Sequence, residues 1–552
     1  MSQLSTAAEL VLVGGPVITM NPGSPSAHAV AVAGGRIVAV GDDREVSDFV
    51  GPRTRRIDLR GRTLLPGFID AHCHPVMAGV DLLRCPLHDV TPTVEAYVAT
   101  IRGYAEAHPD LDWVVGNGWY MAAFPGGTPS REDLDRAVPD RPAYFVNRDG
   151  HGAWANSRAL DLAAITVRTG DPPDGRIERR PDGEPQGTLH EGAANLVERL
   201  LPDPSVDEIA EGLGLAQAYL HRLGITAWQD AWVTEPWLNG YRRFAESGRL
   251  TARVIACQWW ERDQGEEQVE GFVEARADSR IGRLEAGTIK IMTDGVCENY
   301  TASVLEPYLD AGGRSTGNRG IDFVDPQRLK VYVTKLDSLG FQVHFHALGD
   351  RAVRQALDAV EAARRANGMT DMRPHLAHLQ IVDPADWPRF RELGAGANIQ
   401  PYWACNDDQM TDLTLPFLQA ERAALQYPIA SMARAGARLV GGSDWTVSTP
   451  NVMAEVEVAV TRTSPEARER DPFLPDEAID LETALRAFTM GSAWANHRDE
   501  TTGSIEAGKL ADLVVMDRDI QHAPANRLGD AQVLLTLVEG EPVFEDPGLE
   551  AG

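Results

Sequence analysis

"GFIDAHCHP", residues 67–75, places His72 and His74 two positions apart behind the apolar run Leu64-Leu65-Pro66-Gly67-Phe68-Ile69. Such a run reads as a buried strand. Residues i and i+2 of a strand point to one side, so both imidazoles aim at the same spot. Two neutral imidazoles converging at a strand end are a natural start for a metal site. Until further ligands are found, two partly exposed histidines at a strand-to-loop junction are an equally simple reading.

Further ligands are sought at the ends of other strands. "ITAWQDA", "ARVIACQWW", "GTIKIMTDG", "GFQVHFHALGD", "RPHLAHLQIV", "GAGANIQPYW" and "ARLVGGSDW" are each followed by helix-like or loop sequence. That rhythm favours a parallel α/β sheet, open or closed. With the strand that ends at His72 there are eight candidates, the number a (β/α)8 TIM-like barrel needs. Lys290 lies in "TIKIMTDG", either at a solvated edge or buried with a partner, because an unpaired buried ammonium is costly. Desolvation also lowers a lysine's pKa, and the neutral amine can take up CO2 as a carbamate. His346 ends the next strand, with His344 on the same face; His378 ends the one after; Asp444 follows two glycines in "LVGGSDW". Each has a structural alternative, a hydrogen-bonded core histidine or a helix-capping aspartate. Falling in order at successive strand ends, where barrel active sites are built, they point together to a metal centre.

The flanks differ from this middle. "ELVLVGGPVITM", "AVAVAGGRIVAVG" and "RRIDLRGRTL" near the start, and "GSIEAGKLADLVVMD" and "VLLTLVEGEPVFE" near the end, are short Val- and Ile-rich runs between glycine turns. Residues 1–62 and 498–552 are therefore expected to form one discontinuous β-sandwich domain, and 63–497 the barrel. A long insertion at about 76–205 carries Trp113, Trp119, Tyr120, Phe124 and Trp154 and reads as a lid or pocket wall.

The chain has 552 residues, room for one large domain and a smaller one, and 43% hydrophobic content, ordinary for a globular protein. A formal net charge of −29 disfavours nucleic acid and anionic membranes as partners. The five cysteines form no CxxC pair, and no apolar run is long enough to span a bilayer. The opening residues lack a basic region followed by a long apolar stretch, so a cytoplasmic location is expected. A small-molecule partner is expected; a homo-oligomer is compatible with the sequence.

With these residues in place, the sequence resembles the amidohydrolase superfamily of metal-dependent hydrolases over nearly its whole length. "LPGFIDAHCHP", "NRDGHGAWANSRAL", "IKIMTDGVCENYTA", "HFHALGDRAV" and "GGSDW" are most similar to the branch containing the N-substituted formamide deformylases. "FTMGSAWANHRDETTGSIEAGKLADLVVMD" matches the superfamily's tail. The resemblance implies that His72 and His74 bind the more buried metal. Lys290, carboxylated by CO2, would bridge to a second ion held by His346 and His378, and Asp444 would touch the first ion and shuttle protons. Many relatives carry a glutamate where this chain has Ala377. A divalent metal, zinc first, one or two ions per chain, suits mixed imidazole and carboxylate donors.

The expected reaction is hydrolysis of a non-peptide C–N bond, an amide or N-substituted formamide, by metal-activated water with Asp444 as general base then general acid. His151 in "DGHGAWANS" and Glu191 in "GTLHEGA" are pocket candidates from the resemblance and from their polar, glycine-rich loops. Trp119, Tyr120, Tyr402 and Trp403 are candidates for holding a bulky apolar amine, with core packing as the alternative. Two rivals remain open: a single-metal deaminase acting on a heterocyclic amine, for which "HALGD" offers only Asp350 as proton carrier, and a non-catalytic scaffold.

Overall fold

A computed structural model describes residues 7–88 and 90–549. Eight parallel strands form its centre: β1 (Phe68–Cys73), β2 (Ile225–Val233), β3 (Arg253–Trp259), β4 (Leu284–Met292), β5 (Gln342–Ala347), β6 (His375–His378), β7 (Gly396–Ile399) and β8 (Arg438–Gly441). They pair in chain order from β1 through β8, every ladder parallel. β1, β5, β6 and β7 are buried along their entire length, which is why they read as continuous apolar runs interrupted only by functional polar groups. Helices such as Val206–Arg222 and Asp350–Asn367 turn their apolar faces onto the outside of the sheet, into one large core. Mixed α/β architecture with a nearly closed eight-stranded barrel follows the reading of the sequence.

Register fixes which side chains share a level. Lys290 pairs with His344 and Met292 with His346 between β4 and β5; Ala347 pairs with His378 between β5 and β6. The polar groups of these strands therefore gather at and just below the C-terminal rim.

Strands from both flanks are joined. Leu513–Met516 pairs antiparallel with Leu64–Pro66, which pairs in parallel with Val17–Ile18, so one six-stranded sheet contains segments from both ends. A four-stranded sheet built from the N-terminal segments alone, ordered Arg36–Gly41, Ala29–Ala33, Leu10–Val13, Arg55–Asp58, lies against it. Leu10, Leu12, Val30 and Val32 of this sheet share a core with Leu64, Leu513, Val515 and Leu535 of the other.

The long insertion folds on its own six-stranded sheet, from Cys85–Pro86 at one edge to Gly175–Arg179 at the other. Here one expectation is corrected. Trp119 has no exposed surface: its ring packs edge-on to Phe124 and Trp154, and its indole N–H donates to the Phe145 carbonyl at 2.8 Å. A ring enclosed in this way holds the insertion together and has no face to offer a substrate.

Because Leu64–Pro66 leads directly into β1, the shared sheet anchors the strand that carries the first two histidines. A chain ending at Asn496 would leave the Leu64–Pro66 edge unpaired and Leu10, Leu12 and Val32 uncovered, and it should aggregate. Size-exclusion chromatography checks this; a soluble monodisperse truncated protein would contradict it.

Candidate metal centre

No hydrogen-bonded ladder is made between β1 and β8, yet the two ends are tied together by backbone and buried side chains. The Asp444 N–H donates to the His72 carbonyl and the His74 N–H to the Trp445 carbonyl, both at 2.6 Å. Asp70, fully buried on β1, accepts from the N–H groups of Ser443 (2.9 Å) and His72 (3.1 Å) and from the Ser443 hydroxyl. Burial pushes its carboxyl up to about 6 against the pull of those Ser443 contacts. Asn398 Nδ2 adds a bond to the Ala71 carbonyl at 3.0 Å. Gly442 permits the approach: a Cβ there would sit 2.6 Å from the His72 Cβ. Asp444 is held in the left-handed region, φ 57°, a conformation costing about 1–3 kcal/mol that its surroundings must impose.

The junction brings three donors to one point. His72 Nε2 lies 3.2 Å and His74 Nε2 2.9 Å from Asp444 Oδ1, all three residues are buried, and their ligand atoms fall within 4.8 Å of one another. Lys290 Nζ is 3.5 Å from His72 Nε2. Burial lowers Lys290 to about 7, although the negative charge of Asp444 pulls the other way. His346 and His378 stand beside this group, their rings 4.5 Å apart, with His378 Nδ1 3.7 Å from Asp444 Oδ2. Burial first, then the unfavourable approach of a second positive charge (Lys290 to His72 and His378, a protonated His378 to His346), holds all three imidazoles well below their ordinary range, which keeps them neutral.

Both ring nitrogens of His378 are buried without a hydrogen-bond partner among the described residues. Leaving a buried polar atom unsatisfied costs roughly 1–3 kcal/mol. Convergent neutral imidazoles, a carboxylate and orphaned ring nitrogens fit a bound divalent cation by donor chemistry as well as by position.

The surrounding residues divide into those the fold brings to the centre and those it does not. His151 and Glu191 leave the insertion sheet at its barrel-facing end. His151 Nδ1 lies 3.1 and 3.0 Å from the two Glu191 oxygens, Glu191 accepts from the Thr301 hydroxyl at 2.8 Å, and the His151 ring is 5.3 Å from that of His346. Burial acts to discharge His151, but the Glu191 carboxylate outweighs it and raises the imidazole to about 9. Trp403 stacks on His378 with ring centres 5.5 Å apart. Tyr120 donates to Asp407 at 3.0 Å, and Tyr402 donates to Glu466 at 3.2 Å. Asp294 was not singled out from the sequence, although it follows Lys290 at the same strand end. It accepts from the N–H groups of Ser303, Leu348 and Gly349, and its Oδ1 lies 3.3 Å from His346 Nδ1. Such outer carboxylates orient ligand imidazoles.

A family model described as the amidohydrolase family matches residues 55–544. The chain belongs to the amidohydrolase family. Among relatives, this amidohydrolase is 30% identical to the N-substituted formamide deformylase of Arthrobacter pascens over 98% of its own length and 99% of that protein's. It is also 30% identical to Protein LONG AFTER FAR-RED 3 of Arabidopsis thaliana, over 97% and 92% of the two chains. Its fold is similar to that of an uncharacterized metal-dependent hydrolase from Pyrococcus furiosus, at a TM-score of 0.70 and 24% identity, covering 92% of this chain and 99% of that one.

Gly442→Ala tests the closure within the amidohydrolase. A methyl group 2.6 Å from the His72 Cβ forces β1 and the Asp444 loop apart. The variant should fold but retain well under half the wild-type metal content by plasma emission spectroscopy after identical loading. Full metal content would show that the approach is not needed to assemble the donors.

Proposed function

We propose that the protein hydrolyses a linear, non-peptide C–N bond, an N-substituted formamide or an amide with a similarly small acyl group. The observation that carries the reading is the convergence of His72, His74 and Asp444 with a buried, readily neutralised Lys290 3.5 Å from His72. The full-length likeness to a formamide deformylase supports the substrate class. His72, His74 and Asp444 would hold one zinc ion. Lys290, as its CO2-derived carbamate, would share a second with His346 and His378. A bound divalent metal supplies Lewis acidity, bringing water toward ionisation near neutral pH and polarising a carbonyl.

The chain's own groups do the rest. Asp444 accepts a proton from the attacking water and delivers it to the departing nitrogen, a base that becomes an acid. His151, kept cationic by Glu191, faces the centre beside His346 and donates a hydrogen bond to the substrate carbonyl oxygen. Trp403, stacked on His378, and the half-buried rings of Tyr120 and Tyr402 offer apolar contact to the amine substituent. A deaminase reading would need a proton carrier shortly after β5. Asp350, the carboxylate available there, is fully buried, accepts from the Leu305 N–H at 2.7 Å and pairs with Arg422.

Formate release from an N-substituted formamide bearing an apolar group should be measurable with the zinc-loaded protein. Ammonia release from a heterocyclic amine in place of formate would contradict the reading. Asp444→Asn should lower turnover by about 10²-fold or more; near-normal turnover would assign the proton transfer to another group. Lys290→Ala should lose metal at the His346/His378 position first. A variant with full metal content and wild-type rate would remove the bridging role.

A further inference from the structure

Below the metal donors the barrel is filled by polar side chains that the proposed chemistry does not use. They form a connected path from Gln342 through Gln229 to His344, with side branches to Thr288, Asn496 and Cys257. It starts at Gln342, the first residue of β5, whose Nε2 lies 2.9 Å from the Arg373 carbonyl and 2.7 Å from the Ala495 carbonyl. Carbonyl oxygens only accept, so this end of the amide is the donor. Gln342 Oε1 therefore points the other way, accepting from the Thr288 hydroxyl at 2.8 Å and from Gln229 Nε2 at 3.1 Å. Gln229 Nε2 also donates to Asn496 Oδ1 at 2.8 Å. With both donors of Gln229 committed, its Oε1 faces His344 Nδ1 at 3.1 Å and accepts from the Cys257 thiol at 3.5 Å.

An amide oxygen cannot donate, so His344 Nδ1 must carry the proton. A neutral imidazole carries one ring proton, and the ring is fully buried among amide, thiol and imidazole groups. His344 Nε2 is consequently a bare acceptor, and it lies 2.8 Å from His72 Nδ1. His72 Nδ1 then holds its proton, and the His72 lone pair is on Nε2, the atom beside Asp444 and Lys290.

We infer that Gln342, Gln229 and His344 are positioning residues that fix the tautomer of His72, so that Nε2 always presents a lone pair to the metal. Its use rests on the metal reading above; the proton positions do not. The path is anchored at the barrel floor by backbone carbonyls, one of them supplied by the "GSAWANH" segment that follows β8. A imidazole free to choose between tautomers would spend part of its time with N–H directed at the cation. Outer hydrogen bonds that orient ligand histidines typically account for about 10–100-fold in metal affinity.

Neutron diffraction from deuterium-exchanged crystals of the metal-free, unaltered protein reads the path directly. Deuterons are expected on Nδ1 of both His344 and His72. A deuteron on His344 Nε2 or on His72 Nε2 would overturn the inference, and a protein that then fails to bind zinc would count against the metal reading alone. The second measurement is zinc affinity by competition with a chromophoric chelator. His344→Leu, which removes the acceptor, should bind zinc about 10–100-fold more weakly than wild type. His344→Gln, whose amide oxygen can still accept from His72, should recover part of that loss. Equal affinities in the two variants would reduce His344 to a packing residue. Should both variants fail to fold, the deuteron positions still decide.

Discussion

The contact between the end of β1 and the loop after β8 is the constraint on which the rest of the molecule depends. A barrel of eight strands in chain order has its first and last strands as the final pair to meet. Here they meet through Asp70, Ser443, Asn398 and the backbone of residues 72, 74, 444 and 445. Residues 72, 74 and 444 are themselves the candidate metal donors, and Ser443 directly precedes one of them. The same contacts that close the barrel bring the candidate donors together, and Gly442 admits the His72 side chain and backbone at that junction. The flanking sheet adds to this by holding Leu64–Pro66, and so the entry to β1, against Leu513–Met516.

Electrostatics at the rim follow from burial. Imidazoles gathered away from water are held neutral and Lys290 is lowered to about 7, while Asp70 and Asp294 are pushed up toward 6 and 7 by the same desolvation. Asp70 and Asp294 are held by backbone N–H groups rather than by the candidate donors, while the neutral imidazoles remain free to offer lone pairs. His151 is the contrast: burial also penalises its charge, yet the bidentate approach of Glu191 reverses the balance and leaves a cation facing the centre. Two kinds of histidine, one set neutral and one charged, arise chiefly from a difference in partner, with His151 slightly less enclosed than the others.

Much of this was legible in the sequence because a parallel strand puts functional residues at its C-terminal end. His72, His74, Lys290, His346, His378 and Asp444 could be picked out by position, and all eight strands by their apolar runs. The insertion's tryptophans were harder: an aromatic in a loop-rich region reads alike whether it lines a pocket or, like Trp119, fills the core of a separate sheet. Asp70, Asp294, Gln229 and Gln342 carried no signal of their own. Their roles depend on partners more than sixty residues away for Gln229 and Asp70, and on which end of an amide faces a carbonyl, neither of which periodicity encodes. His344 was visible on its strand face, but its task became clear only with the direction of each hydrogen bond beneath it.

If closure of the barrel builds a metal centre, a divalent ion sits among His72, His74 and Asp444. Anomalous diffraction at the zinc edge from crystals of the zinc-loaded protein tests it most directly. The strongest anomalous peak is expected at about 2.0–2.2 Å from His72 Nε2, His74 Nε2 and an Asp444 carboxylate oxygen. A zinc peak elsewhere, with those three side chains bonded only to one another, would contradict it.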